Sequence, residues 1–342
     1  MTVLAMAVSG FSATGTGTLV PRTPGSRPDP SRPAGTDTLP GVDHLVVLML
    51  ENHSFDNLFG MLGRGDGFVL DGQGQPIATN PYPDGRLQHA FHMPTTCQLP
   101  SRPSNEWGAS HHAYDNGAND GFVRTPISPV NQQIVGGVAM GYWTGADLPF
   151  TYGLASVFPV ADRWFSSSLA QTDPQRRYLI AGTSAGMTDN PGTTNLIGDL
   201  GLLIPAARGT IFNQLDSHGI GWANYVASYA SGATPNLFLA NDLVTEAAHK
   251  RPFAQFATDA AAGSLPAFSL LDPNFGTQSQ ENPQNIVKGE AMLAQVVDAI
   301  GGPMVERKWN LPALAAPGNT PAALACSTSG PGAIPPPGSI TG

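Results

Sequence analysis

The chain has 342 residues, 41% of them hydrophobic and only 12% charged, with a formal net charge of −9. That length can bury a substantial core, as one large domain or two small ones, while 40 Gly and 32 Pro favour turns and long loops over helical bundles. An acidic surface without clustered cations argues against a nucleic-acid partner and offers no polybasic patch to anionic membranes.

No stretch reaches the roughly 20 apolar residues of a membrane span, so no transmembrane segment is expected. Cys97 and Cys326 are too few for a disulfide framework or a thiolate metal cage. They can pair with each other in an oxidising compartment, but nothing in the sequence requires it. The first 20 residues are mildly apolar and rich in small side chains, with no Lys or Arg before Arg22, a poor match to a signal peptide. Residues 21–40, rich in Pro, Gly and Ser, read as a linker.

Order is expected from Gly41. His44 to Leu50 is a continuous apolar run, the pattern of a strand covered on both faces, and Ser54 to Leu62 can open a helix. Residues 63–140 are loop-rich, with one helix near Glu106 to Asp115. Pro149 to Phe165 reads as a helix broken at Pro159 and a following strand, and Arg177 to Ala181 as another strand. Helices follow at Ile211 to His218, Pro252 to Ala262 and Gly289 to Ile300, with strands at Gly221 to Ser228 and Phe268 to Leu271. In the last helix Met292, Val296, Val297 and Ile300 share one face. Alternating strands and helices predict an α/β fold with a mostly parallel sheet. Beyond Pro312 the pattern dissolves, and residues 313–342 are expected to be a disordered tail.

In such a sheet ligands sit beyond the carboxyl ends of the strands, where Glu51, Asn52 and His53 follow the first apolar run. A carboxylate and an amide oxygen are hard donors suited to a divalent cation; the plainer reading is a Glu51 that caps a helix or pairs with an Arg. A second polar cluster holds Thr172, Asp173, Pro174, Arg176 and Arg177. A Thr hydroxyl activated by a metal or a base can attack phosphorus, with an Arg steadying the oxygens; the alternative is a turn before Pro174. His111 and His112 are either contacts to a leaving group or surface histidines. GTSAG, Gly182 to Gly186, matches the nucleophile elbow of serine esterases, with Ser184 as its nucleophile. Trp107, Trp143, Trp164 and Trp222 are most simply packing aromatics.

LPGVDHLVVLMLENHSFDNLFG resembles the opening signature of the bacterial phosphoesterase family that contains phospholipases C and acid phosphatases. Met140 to Ser184, NGANDGFV at Asn116 and LPAFSLLDPNFG at Leu265 resemble further blocks of the same family, in the same order. The resemblance runs from Gly41 to about Pro312. It implies an alkaline-phosphatase-like three-layer α/β/α sandwich and hydrolysis of phosphoesters, phospholipids among them. By motif it makes Glu51, Asn52 and Thr172 ligands of a divalent metal ion of unknown identity and Thr172 the nucleophile; beside it, the chemistry of the residues themselves offers Arg176 as a substrate contact and His111 as a catalytic contact to the leaving group. It also leans towards a secreted or cell-surface location.

The sequence departs from that pattern in one stretch. The family's late strand, reading like Y-D-E-H-G-G with a following D-H pair, has no counterpart, and GEAMLAQVVDAIGGP runs directly into MVERKWNLPAL. An internal deletion at Pro303-Met304 is expected to remove that strand and its carboxylates, impairing metal binding and activity. Two positions usually His are Asn105 and Asn282. The competing expectations are therefore a catalytically dead phosphoesterase remnant and, further off, a Ser184 esterase.

Overall fold

A computed structural model describes residues 2–8, 42–97, 103–126, 136–191, 204–227, 246–274, 278–281 and 285–301. In chain order its elements are β1 (Thr2–Val8), β2 (His44–Leu50), α1 (Phe55–Phe59), β3 (Thr79–Pro81), β4 (Leu87–His89), β5 (Phe91–His92) and α2 (Trp107–Tyr114). Then come β6 (Gly141–Tyr142), α3 (Pro149–Val157), α4 (Thr172–Ala181), α5 (Ile211–Ser217), β7 (Trp222–Val226), α6 (Glu246–His249), β8 (Lys250–Pro252), α7 (Phe253–Ala261), β9 (Phe268–Asp272) and α8 (Val287–Gly301).

Five strands form one sheet in the order β1-β2-β9-β7-β8. β2, β9, β7 and β8 run parallel, and β1 lies antiparallel on the outer flank of β2, with Thr2 opposite Leu50 and Val8 opposite His44. β1 thus falls within the first 20 residues, where the sequence showed only a mildly apolar run. Residues 9–41 and 302–342, which hold the expected linker, the Pro303-Met304 join and the tail, lie outside the described residues.

Strand alternation sorts side chains between two faces. Val46, Leu48, Leu50, Ala223, Tyr225 and Leu271 pack with Phe150 and Leu154 of α3, Phe256 of α7 and Met292, Val296 and Val297 of α8. On the opposite face Val47, Trp222, Phe268 and Leu270 meet Ile180 of α4 and Phe212 of α5. Helices cover both faces, the three-layer α/β/α arrangement expected. A satellite cluster of Leu58, Phe91, Met93, Trp143, Leu148 and Ile286 supports the loop-rich region beside the sheet.

Two predicted strands are corrected. Residues 160–165 form no strand, and Arg177 to Ala181 is the second half of helix α4. Its N-terminus is set by Pro174 and Asp173 in the first turn, where a missing N–H and a negative charge are both tolerated. Gly182 at φ 68° ends it in the left-handed region, which glycine enters without steric cost. The tetrapeptide YLIA was too short for periodicity to separate strand from helix. The break at Pro159 holds: α3 ends at Val157, and Phe158 is extended, as a residue before proline prefers.

Candidate active site

Because β2, β9 and β7 run in parallel, their carboxyl ends share one edge of the sheet. Leu48 pairs with Leu271, so Glu51, just past β2, and Asp272, the last residue of β9, emerge side by side. Both are buried, at 5% and 1% exposure. α4 starts against this edge. Its first residue, the partly exposed Thr172, donates its hydroxyl to Glu51 Oε2 at 3.2 Å. One turn later Arg176, 2% exposed, donates from Nε and Nη2 to Glu51 Oε1 at 3.1 and 2.8 Å, and from Nη1 to Asp272 Oδ1 at 2.5 Å. Asn224 of β7 donates to the other oxygen of Asp272 at 2.9 Å.

Burial alone would lower the Arg176 pKa, but Glu51 and Asp272 outweigh it and hold the guanidinium above the usual arginine range. Asp173 goes the other way for a carboxylate. Burial pushes it up to about 6, opposed by Arg176 and reinforced by Glu51.

The start of α4 is pinned from outside the helix. Asp173 N–H donates to Asn190 Oδ1 at 2.8 Å, and Asn190 N–H donates to Gln171 Oε1 at 2.6 Å. Gln175 accepts from Ser167 N–H at 3.1 Å and donates to Ser168. Arg177, fully buried, donates to the carbonyls of Ser184 and Ile204, and burial lowers its pKa to about 10.

The predicted residues therefore meet only in part. Glu51, Thr172 and Arg176 come together. Asn52 is exposed and borders an adjoining pocket with His53, Asn105 and Trp143. His53 is held neutral: its ring nitrogen bonds the Gln280 carbonyl at 2.8 Å, and burial drops its pKa to about 4. His111 bonds the Trp107 carbonyl at 2.7 Å and packs on the Trp107 ring, both contacts within α2. The start of α2 does reach the site, because Trp107 N–H donates to Asp189 at 2.8 Å, beside Asn190. Ser184 follows a helix rather than the strand that an elbow requires, and only 7% of it is exposed. Asn282 lies outside the described residues.

Asp272, Asn190 and Gln171 were missed in the sequence. Asp272 had a readable signal: like Glu51 it closes a short apolar strand, and Pro273 follows it.

The residues as arranged do not fit the expected divalent ion. Two N–H groups of Arg176 fill Glu51 Oε1 and the Thr172 hydroxyl is on Oε2. Among the described residues no group of three His, Cys, Asp or Glu side chains is placed to hold a metal, and none of the helices is long and apolar enough to cross a membrane.

A model of the family described as the Phosphoesterase family matches residues 42–310. The chain is 30% identical over 201 residues to the hemolytic phospholipase C of Pseudomonas aeruginosa, covering 56% of this chain and 26% of that protein. It is 27% identical over 270 residues to phospholipase C B of Mycobacterium tuberculosis, covering 69% of this chain and 51% of that one. With non-specific phospholipase C3 of Arabidopsis thaliana identity is 24% over 294 residues, covering 78% of this chain and 52% of the relative. The chain thus spans about a quarter to about half the length of these relatives.

Proposed function

The chain belongs to the phosphoesterase family, and from that premise we propose that it hydrolyses phosphoester bonds through attack by Thr172. The observation that carries the reading is the 3.2 Å hydrogen bond from the Thr172 hydroxyl to Glu51 at the carboxyl edge of a parallel sheet. A hydroxyl is a poor nucleophile until its proton has somewhere to go, and Glu51 Oε2 is the acceptor already in contact with it. Attack passes the hydroxyl proton to Glu51, forms the Thr172 Oγ1–phosphorus bond and breaks the bond to the leaving oxygen, which takes a proton from water; the hydroxide so formed recovers the proton from Glu51. A second water then attacks the phosphothreonine and returns a proton to the threonine oxygen.

Arg176 fixes Glu51 rather than gripping substrate, so its role is to position the base. His111 stands on the helix whose start is tied to the site through Asp189, and we assign it to the leaving-group side. The names of the relatives make a phospholipid the first substrate to try. No step is routed through a metal, because the donor set as arranged does not fit one.

The test is turnover of p-nitrophenyl phosphate and of a phosphatidylcholine analogue. Thr172→Ala is expected to lose at least about a thousandfold, the scale of removing a nucleophile, while Ser184→Ala keeps wild-type rates. Acid quenching should trap phosphate on the peptide containing Thr172. Wild-type turnover by Thr172→Ala would end the proposal. The Arg176 clamp on Glu51 Oε1 favours a second reading, a fold that binds phosphoesters without cleaving them. Its mark would be binding of a non-hydrolysable analogue by a wild-type chain that shows no turnover.

A further inference from the structure

Glu51 and Asp272 are two carboxylates at the base of the site, with one cation already between them. Buried carboxylates cannot stay ionised without a partner. Here the partner is a guanidinium, which stays protonated at any working pH. Its fork donates twice to Glu51 and once to Asp272, and Asn224 fixes the far oxygen of Asp272. A divalent ion would find Glu51 Oε1 taken by two of those donors and would be left with Oε2, which already holds the Thr172 hydroxyl. It would also stand beside a buried positive charge that solvent does not screen.

We propose that Arg176 is the resident cation of this site: clamped by Glu51 and Asp272, it takes the place a divalent ion would need and orients Glu51 toward Thr172. Arg176 is thereby a positioning residue and Asp272 its anchor, a pairing that holds whether or not Thr172 turns over substrate. Only the catalytic arm of the proposal, phosphoryl transfer without a divalent ion, rests on the reading of Thr172 as nucleophile.

The deciding experiment is calorimetric titration of the chelator-dialysed full chain with MnCl2, ZnCl2 and CaCl2. Wild type is expected to show no micromolar site. Arg176→Met, which leaves the two carboxylates facing each other, should gain a one-to-one site, and Arg176→Met combined with Asp272→Asn should lose it. Arg176→Lys keeps a cation in place and should stay blind to metal. Stoichiometric micromolar binding by wild type would overturn the assignment, and this result does not depend on any variant that might fail to fold. In the activity arm, turnover should be equal with EDTA and with added metal; loss in EDTA with recovery on metal addition would also overturn it. A chain inactive under every condition defeats the Thr172 reading alone, and the wild-type titration still decides the identity of the cation.

Discussion

Replacing Glu290 with Gln should remove a pH dependence that the wild-type fold carries between pH 4.5 and about 7. Glu290 sits on α8, fully buried, and its Oε1 accepts from the backbone N–H groups of Phe150 at 2.5 Å and Thr151 at 3.2 Å. Those N–H groups belong to the first turn of α3, whose N-cap, Leu148, has no side chain able to accept them. Helix α8 thus caps helix α3 across the core. Burial pushes the Glu290 pKa from 4.5 up to about 7, with a smaller push from Asp147, while the two N–H groups pull it down. Between those values the native state holds a proton that the unfolded chain has released, so stability is full below 4.5 and falls as pH rises through 7. At ~1.4 kcal/mol per pH unit the gap amounts to about 3 kcal/mol. Gln presents the same acceptor without a titration. Urea unfolding of both proteins across this range should give free energies offset by a constant at low pH. That offset should then grow by about 3 kcal/mol in favour of Glu290→Gln above pH 7. Parallel curves would refute the reasoning.

Arg176→Met leaves two buried carboxylates unpaired and should cost about 3–5 kcal/mol in chemical denaturation; adding Asp272→Asn should recover part of that loss. Gly289→Ala sets helix propensity against packing. Propensity favours Ala by about 0.5–1 kcal/mol, but its Cβ would lie 2.3 Å from Gln280 Cγ and 2.9 Å from Gln280 N. Overpacking at about 1–3 kcal/mol should win and lower the melting temperature. His53, its pKa dropped from 6.5 to about 4, costs the fold stability as pH falls through that window, because the unfolded chain takes up a proton first. Its ring resonances should therefore hold at their neutral positions down to pH 5.

The parts of the fold visible in the sequence were those where one physical rule acted alone. His44–Leu50 and Phe268–Asp272 are short apolar runs buried on both faces, and nothing in them competes with strand formation. Val287–Gly301 carries four turns of amphipathic spacing, long enough for the 3.6-residue period to register. Thr2–Val8 was hidden because a run of small and apolar residues looks the same whether it pairs with a sheet edge or serves as a leader. Its placement depends on β2, some forty residues away, and no local pattern encodes that.

The site was half legible for a connected reason. Glu51 stood out because a carboxylate at the end of a greasy strand is conspicuous, and Asp272 obeys the same rule. What concealed the relation between them was the misreading of Arg177 to Ala181 as a strand. Once Thr172–Ala181 is a helix, Thr172 and Arg176 are at i and i+4, stacked on one face, so a single carboxylate can receive the hydroxyl from one and the guanidinium from the other. Taken instead as a turn leading into a strand, the same residues leave Arg176 unattached and apparently available to substrate. The secondary structure of ten residues thus determines whether the cation beside Thr172 is free for a phosphate or engaged by the protein. The buried, doubly paired geometry of Arg176 points to the protein.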